Sequence, residues 1–205
     1  MYRDHQPTIS TWARRSPENL ARTIQFVVAS AREKFYNVPV VMMEATEGRP
    51  GVLFSWKLEA WNHAWDSRES VFHQCEEIVR LYPLRRERGP ALIRYLAGLP
   101  GLNLAKAGFV AQLAYGCGGC LDTVNLSRLD LPLDIDDNRR YRMKRQTTPA
   151  KRLALARWYC ETCERLGGVG RLWDDWCAEM SRRYPTQFPT ADAASAHHLT
   201  CLGLA

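Results

Sequence analysis

The residues best suited to chemistry lie close together near the middle of the sequence. Asp122 and Thr123 follow a glycine-rich stretch, and Arg128 comes within two helical turns of them. A carboxylate held at such a point stabilises positive charge that develops on a reacting group. Asp122 or Thr123 is equally able to begin a helix by accepting a hydrogen bond from a first-turn amide. The sequence leaves both roles open, and they do not exclude each other.

Four of the seven cysteines form two pairs of the spacing that metal sites use, Cys117 with Cys120 and Cys160 with Cys163. Paired thiolates can hold zinc, but compact zinc modules usually place their two pairs closer together along the chain. We therefore favour buried reduced thiols and keep zinc at these four cysteines as the alternative. No other metal and no nucleotide cofactor is expected. An odd number of cysteines also argues against a disulfide framework.

The segment that precedes Asp122 predicts two helices joined by a tight turn, Leu99-Pro100-Gly101-Leu102-Asn103. Gly101 and Asn103 tolerate left-handed backbone angles. The second helix carries small residues, which let a neighbouring helix approach closely: Ala105, Ala107, Gly108, Ala111 and Ala114. Amides at a helix start suit a phosphate group. This turn is therefore a candidate clamp for a DNA backbone.

The other elements also read as helices. Ser16-Pro17 and Thr148-Pro149 are helix starts, Ser67 begins a third helix, and Gly167 suits a helix end. The spacing of apolar residues favours a mainly α fold of two helical lobes over residues 1–185, with a loosely held tail over 186–205.

Residues 38–56 differ from the rest, because two short β-prone runs flank a turn there. They predict a small β-hairpin or an irregular connection. Trp56, Trp61 and Trp65 follow at a spacing compatible with one broad helical face. Core packing is the favoured role of these tryptophans, and base stacking is the alternative.

Positive charge is concentrated in one part of the chain. The 205 residues carry a formal net charge of +6, and residues 138–160 hold eight basic residues and no acidic one: Arg139, Arg140, Arg142, Lys144, Arg145, Lys151, Arg152 and Arg157. Such a stripe attracts phosphate backbones, although a solvated helix face is the simpler reading. The chain has neither a membrane-span pattern nor a secretory signal. We expect an intracellular protein, cytoplasmic or nucleoid-associated, with no membrane partner.

The segment from Leu99 to Arg128 resembles the helix-hairpin-helix motif and catalytic Asp of the endonuclease III-like DNA glycosylases. The residues that carry the resemblance are Leu99, Pro100, Gly101, Ala107, Gly116, Asp122, Thr123 and Arg128. They span about 35 of the 205 residues, in a divergent form of the motif. The resemblance implies an Asp at the mouth of a cleft between two helical lobes. There it would stabilise the oxocarbenium-like sugar of a flipped nucleotide.

The departures from the family pattern refine this expectation. Asn103 stands in place of the second hairpin Gly, and Val124 stands where the family often has His. Ala105 occupies the position at which lyase-competent members carry a nucleophilic Lys. Lys106 is one residue further on, and one helical residue rotates a side chain by about 100°. We therefore expect no lyase activity and expect Lys106 to meet phosphate or solvent. The iron-sulfur cysteine spacing of the family is absent.

The resulting hypothesis is a monofunctional DNA glycosylase with Asp122 as catalytic residue. DNA would contact the turn and the basic residues Pro100, Gly101, Leu102, Asn103, Lys106, Arg128, Arg139, Arg140, Arg142, Lys144 and Arg145. The alternative is a non-catalytic DNA-binding or nucleoprotein-assembly protein that retains the fold, for example in a phage. A third reading is a helical protein whose basic stripe meets an acidic partner.

Overall fold

The protein is mainly α-helical, as the sequence predicts. A computed structural model describes residues 1–49, 51–128 and 142–205, and these ranges contain eleven α-helices and no strand. The helices are α1 Tyr2–Ala13, α2 Pro17–Ser30, α3 Val38–Thr46, α4 Ser55–Asp66, α5 Arg68–Leu81, α6 Arg85–Leu96, α7 Leu104–Tyr115, α8 Thr123–Arg128, α9 Pro149–Arg165, α10 Gly168–Arg183 and α11 Ala191–Leu202.

Side-chain caps fix several of the predicted helix starts. The Ser16 hydroxyl accepts a hydrogen bond from the backbone N–H of Asn19 (3.3 Å), and Pro17 occupies the first turn of α2. The Thr148 hydroxyl accepts from the N–H of Lys151 in the same way (3.2 Å). These bonds satisfy amides that the helix itself leaves unpaired. After α9, Gly167 takes the predicted left-handed conformation.

The expected hairpin over residues 38–56 is wrong, because α3 occupies its first half and α4 begins at Ser55. Pro39 lies in the first turn of α3, where a helix needs no N–H donor. Val38, Val41 and Met42 are buried and share one face of this helix. Burial of that apolar face outweighs the modest β preference of the valines, since strand propensity depends strongly on context.

The expected loose tail is also wrong. Thr190 caps α11 by accepting from the N–H of Ala193 (3.1 Å), and α11 packs against α10. Its inner face buries Ser195 and His198, and the Ser195 hydroxyl accepts from the indole N–H of Trp173 (2.8 Å). The small residues that suggested mobility are those that let α11 lie close to its neighbours.

Helix α7 lies at the centre of the molecule, in contact with α1, α2 and α6. Ten of its residues are buried. A Cβ on Gly108 would lie 2.1 Å from the carbonyl oxygen of Gly119 and 2.5 Å from the Tyr159 hydroxyl. Only glycine allows α7 to approach the segment before Asp122 this closely. No helix in the described ranges is long and apolar enough to cross a bilayer.

Candidate active-site cavity

The turn between α6 and α7 packs directly on α4. Gly101 has a φ of +69°, and a Cβ there would lie 2.3 Å from the Cβ of Ala60. Both observations require glycine. Asn103 does not take the left-handed angle we expected. It has extended backbone angles and caps α7 instead, with its side-chain oxygen accepting from the N–H of Lys106 (2.9 Å). An Asn at this position thus supports the helix start directly.

Three buried side chains hold the segment that leads into Asp122. The Tyr159 hydroxyl donates to the carbonyl of Gly119 (2.7 Å) and accepts from the N–H of Leu121 (3.1 Å). The Gln112 side chain accepts from the N–H of Cys120 (3.2 Å), and the Asn125 side chain donates to the carbonyl of Cys120 (2.7 Å). These bonds fix the backbone immediately before Asp122.

The Asp122 carboxylate is anchored at both oxygens. Oδ1 accepts from the backbone N–H of Asn125 (2.9 Å), which is the helix-capping role that the sequence left open. Oδ2 accepts from the indole N–H of Trp176 on α10 (3.0 Å). A cap alone requires only the first bond. The second bond orients the carboxylate from a separate helix.

Asp122 forms part of the wall of a cavity of about 580 Å³. Aromatic side chains make up much of the wall: Phe35, Trp56, Phe109, Trp173, Trp176 and Tyr184. Basic residues also line it: Arg32, Lys106, Arg142 and Arg183. This volume falls within the range of about 300–1,000 Å³ that small-molecule sites occupy. The cavity therefore offers a flat apolar ligand stacking surfaces, the two carboxylates of Asp122 and Glu33, and several cations.

The structure brings together five of the catalytic and DNA-contacting residues predicted from the sequence. Gly101, Asn103, Lys106 and Arg142 line the same cavity as Asp122. The remaining candidates are placed elsewhere: Pro100 and Leu102 in the turn, and Lys144 and Arg145 exposed in a short 3₁₀ helix. The side chain of Arg128 and residues Arg139 and Arg140 lie outside the described residues.

Lys106 lines the cavity, and its Nζ lies 4.5 Å from the centroid of the Trp56 ring. A cation at this distance over an indole face is stabilised electrostatically. The neighbouring position Ala105 also reaches the cavity wall. The expected contact of Lys106 with phosphate or solvent stays a prediction.

The three tryptophans of α4 do not share one face. Trp61 is buried at 7 % exposure, whereas Trp65 is 42 % exposed and lies beneath the Arg68 guanidinium. Trp56 is the member that lines the cavity. The core-packing interpretation therefore describes Trp61, and the stacking alternative is sterically open only to Trp56 at this site.

Several cavity residues were missed from the sequence, among them Trp176, Asn125 and His198. Asn125 is buried beside Asp122, and His198 comes from the tail that we expected to be loose. The His198 ring packs among Phe26, Phe35 and Trp173, and its Nδ1 lies 3.1 Å from the carbonyl of Ser195. Burial lowers the pKa of His198 to about 3, so the imidazole is neutral at neutral pH. Tertiary packing brings these residues to the site, and no local sequence pattern reveals it.

Of the four paired cysteines, Cys120 lines this cavity and the other three lie apart from it. Cys117 and Cys160 line a second cavity of about 1,010 Å³, together with Arg85 and Glu164, which form an ion pair at 3.5 Å. Burial raises the pKa of the Cys117 thiol to about 11 and that of Cys160 further still. In the described part of the chain no three His, Cys, Asp or Glu side chains are grouped to hold a metal. The zinc alternative thus gains no support from the described geometry.

Comparison of the chain with protein-family models, with curated protein sequences and with solved structures gives no match.

Proposed function

We propose that the protein is a monofunctional DNA glycosylase that hydrolyses the N-glycosidic bond of a damaged, modified or mispaired base. The observation that carries the proposal is the position of Asp122. Its carboxylate, oriented by Trp176 and by the start of α8, lies in the wall of a cavity lined with aromatic rings. Such a cavity suits a nucleobase that has been rotated out of the DNA stack.

The proposed reaction uses the carboxylate electrostatically. As the bond between the base nitrogen and C1′ breaks, its electron pair leaves with the base and positive charge develops on the sugar. Asp122 stabilises that charge. A water molecule then adds its oxygen to C1′, and the proton that it releases passes to the departing base, which took the electron pair of the broken bond. The aromatic rings Trp56 and Trp176 would hold the base during these steps.

Cations around the cavity would hold the DNA backbone. Lys106 and Arg142 line the cavity, and Lys144 and Arg145 are exposed beside Arg142 in the sequence. Contacts of lysine and arginine with phosphates release counterions, so binding should weaken steeply as salt is raised. The turn that packs on α4 would place the start of α7 against the same backbone.

A non-catalytic DNA-binding or nucleoprotein-assembly protein is the second candidate. It is favoured by one observation, the hydrogen bond from the backbone N–H of Asn125 to Asp122 Oδ1. This bond gives the carboxylate a structural role. Both candidates require DNA binding that depends on salt. Only the glycosylase requires that a base be released.

The test is base excision by the full chain. Duplex oligonucleotides carrying uracil, alkylated, oxidised or mismatched bases are incubated with protein, and abasic sites are revealed by alkaline cleavage. The Asp122→Asn variant should bind the substrate duplex as the parent does and release base about 10²–10³-fold more slowly. Asp66→Asn, an exposed substitution that does not line the cavity, is the matched control. Tight DNA binding without release of any tested base would favour the second candidate.

A further inference from the structure

We propose that Asn125 selects the base, by accepting a hydrogen bond from an N–H group on it. This inference rests on the proposed function and adds the class of base that the cavity takes. The relevant bases present an N–H donor at the edge that enters the cavity, either an exocyclic amino group or a ring N–H. The side-chain oxygen of Asn125 is the recognising atom.

The evidence begins with a buried acceptor that lacks a donor. Asn125 lines the cavity and is 1 % exposed. No described residue donates to its Oδ1, although that atom is inaccessible to solvent. A buried acceptor left unpaired destabilises the folded state, so such atoms are uncommon in folded proteins. A ligand that supplies the missing donor, as a small shift of the cavity wall exposes Oδ1, removes this cost.

The orientation of the Asn125 amide is fixed by its other end. Nδ2 donates to the carbonyl of Cys120 at 2.7 Å, so the nitrogen cannot exchange places with the oxygen without losing that bond. The backbone N–H of the same residue is bound to Asp122 Oδ1 at 2.9 Å. The acceptor therefore belongs to the same turn as the carboxylate. A base bound with its C1′ near Asp122 would pass close to this oxygen.

Gln112 shows that a side-chain amide in this wall can have hydrogen-bond partners at both ends. It also lines the cavity and is 2 % exposed, but both ends of its side chain are used. Nε2 donates to the carbonyl of Val169 (2.8 Å), and Oε1 accepts from the N–H of Cys120 (3.2 Å). Gln112 thus has a structural role that accounts for both of its polar atoms. Asn125 has such a role for its nitrogen alone.

The experiment compares three duplexes that differ in one base opposite an abasic site. The base is adenine, which carries an exocyclic amine, hypoxanthine, which carries a ring N–H, or purine, which carries neither. The full chain with Asp122→Asn serves as the parent, so that no base is lost, and binding is followed by fluorescence anisotropy. We expect adenine or hypoxanthine to bind about tenfold tighter than purine. Whichever of the two is preferred identifies the donor.

Variants of two buried amides separate recognition from packing. In Asn125→Leu the preference over purine should fall to within about twofold, because the acceptor is gone. Gln25→Leu is the control, because Gln25 is a buried amide that does not line the cavity and donates to the carbonyl of Trp61 (3.3 Å). It should keep the preference even if it lowers the melting temperature. Asn125→Ala removes the same acceptor without the bulk of leucine, so it should also lose the preference, and it provides the test if Asn125→Leu does not fold.

Each other outcome counts against the inference. Equal binding of the three duplexes by the parent would overturn the role of Asn125 while leaving DNA binding in place. A preference that survives in Asn125→Leu, or one that is lost in Gln25→Leu as well, would do the same. If none of the duplexes is bound, the proposed function fails, and this inference fails with it.

Discussion

The cavity beside Asp122 and the cavity beside Cys117 differ in the state of their polar groups. In the first, a carboxylate is oriented by two N–H donors and a neighbouring amide oxygen has no donor among the described residues. In the second, Arg85 pairs with Glu164, and burial keeps the thiols protonated. A thiol is nucleophilic and binds metals only as the thiolate. The protonation and hydrogen bonding of reactive residues therefore indicate a functional site better than the number of such residues does.

The largest expected effect is at Asp122. Asp122→Asn keeps the size of the side chain and removes its charge, so base release should fall by about 10²–10³-fold if the carboxylate stabilises the sugar. Substrate binding should change little, and Asp66→Asn should behave as the parent. Rates from single-turnover excision assays, beside anisotropy measurements of DNA affinity, provide the check. If the Asp122→Asn variant releases base as fast as the parent, the carboxylate has no catalytic role, and the two cavities no longer differ in this respect.

The boundary between the cavities depends on Gly108. Cys117 and Gly118 line the second cavity, whereas Cys120 and Asp122 line the first. Gly108→Ala would push a methyl group into the Gly119 carbonyl and the Tyr159 hydroxyl, which hold this segment. We expect a loss of about 1–3 kcal/mol in the free energy of unfolding, measured by urea denaturation. Gly170→Ala is the control, since its new Cβ would meet only the Tyr2 ring, at 3.3 Å.

The buried imidazole of the first cavity predicts a pH dependence. The pKa of His198 is about 3 in the folded protein and 6.5 in an exposed histidine, so the unfolded chain takes up a proton first as pH falls. The free energy of unfolding should therefore decrease below pH 6.5, by about 2 kcal/mol by pH 5 for this group. His198→Phe should flatten the curve by one proton, as measured by denaturation at each pH. An unchanged slope would show that His198 titrates normally.

The hydrogen bond from Trp176 to Asp122 predicts a smaller kinetic effect. Trp176→Phe keeps an aromatic ring in the cavity and removes the N–H that Oδ2 accepts. Base release should fall by about 10–100-fold, because a hydrogen bond to a charged group contributes about 1.5–3 kcal/mol. Trp173→Phe loses a comparable indole bond, to Ser195, and should lower stability with less effect on the rate. If base release slows by the same factor in both variants, the effect comes from packing rather than from the hydrogen bond to Asp122.

Local sequence rules predicted the helices well and the cavity only partly. The caps at Ser16 and Thr148 depend on residues that are neighbours in the chain, so spacing alone revealed them. Asp122 stood out because a short motif leads into it. The partnership of Asp122 with Trp176 joins segments far apart in sequence, and no local pattern encodes it. Helix α3 and the docked α11 were missed because burial, rather than intrinsic preference, decides their structure.

The smallest expected effects concern the cysteines. Because the thiol of Cys117 loses its proton only near pH 11, it should react slowly with iodoacetamide at pH 8 in the folded protein and rapidly after unfolding. Cys117→Ala and Cys160→Ala should then leave base release within about twofold of the parent, although each opens a small cavity that lowers stability. Mass spectrometry of alkylated peptides measures the first expectation, and the excision assay measures the second. Rapid alkylation of the native thiols, or loss of base release in either variant, would give the second cavity a chemical role after all. The difference between an oriented carboxylate and a protonated thiol would then no longer explain which cavity is the active site.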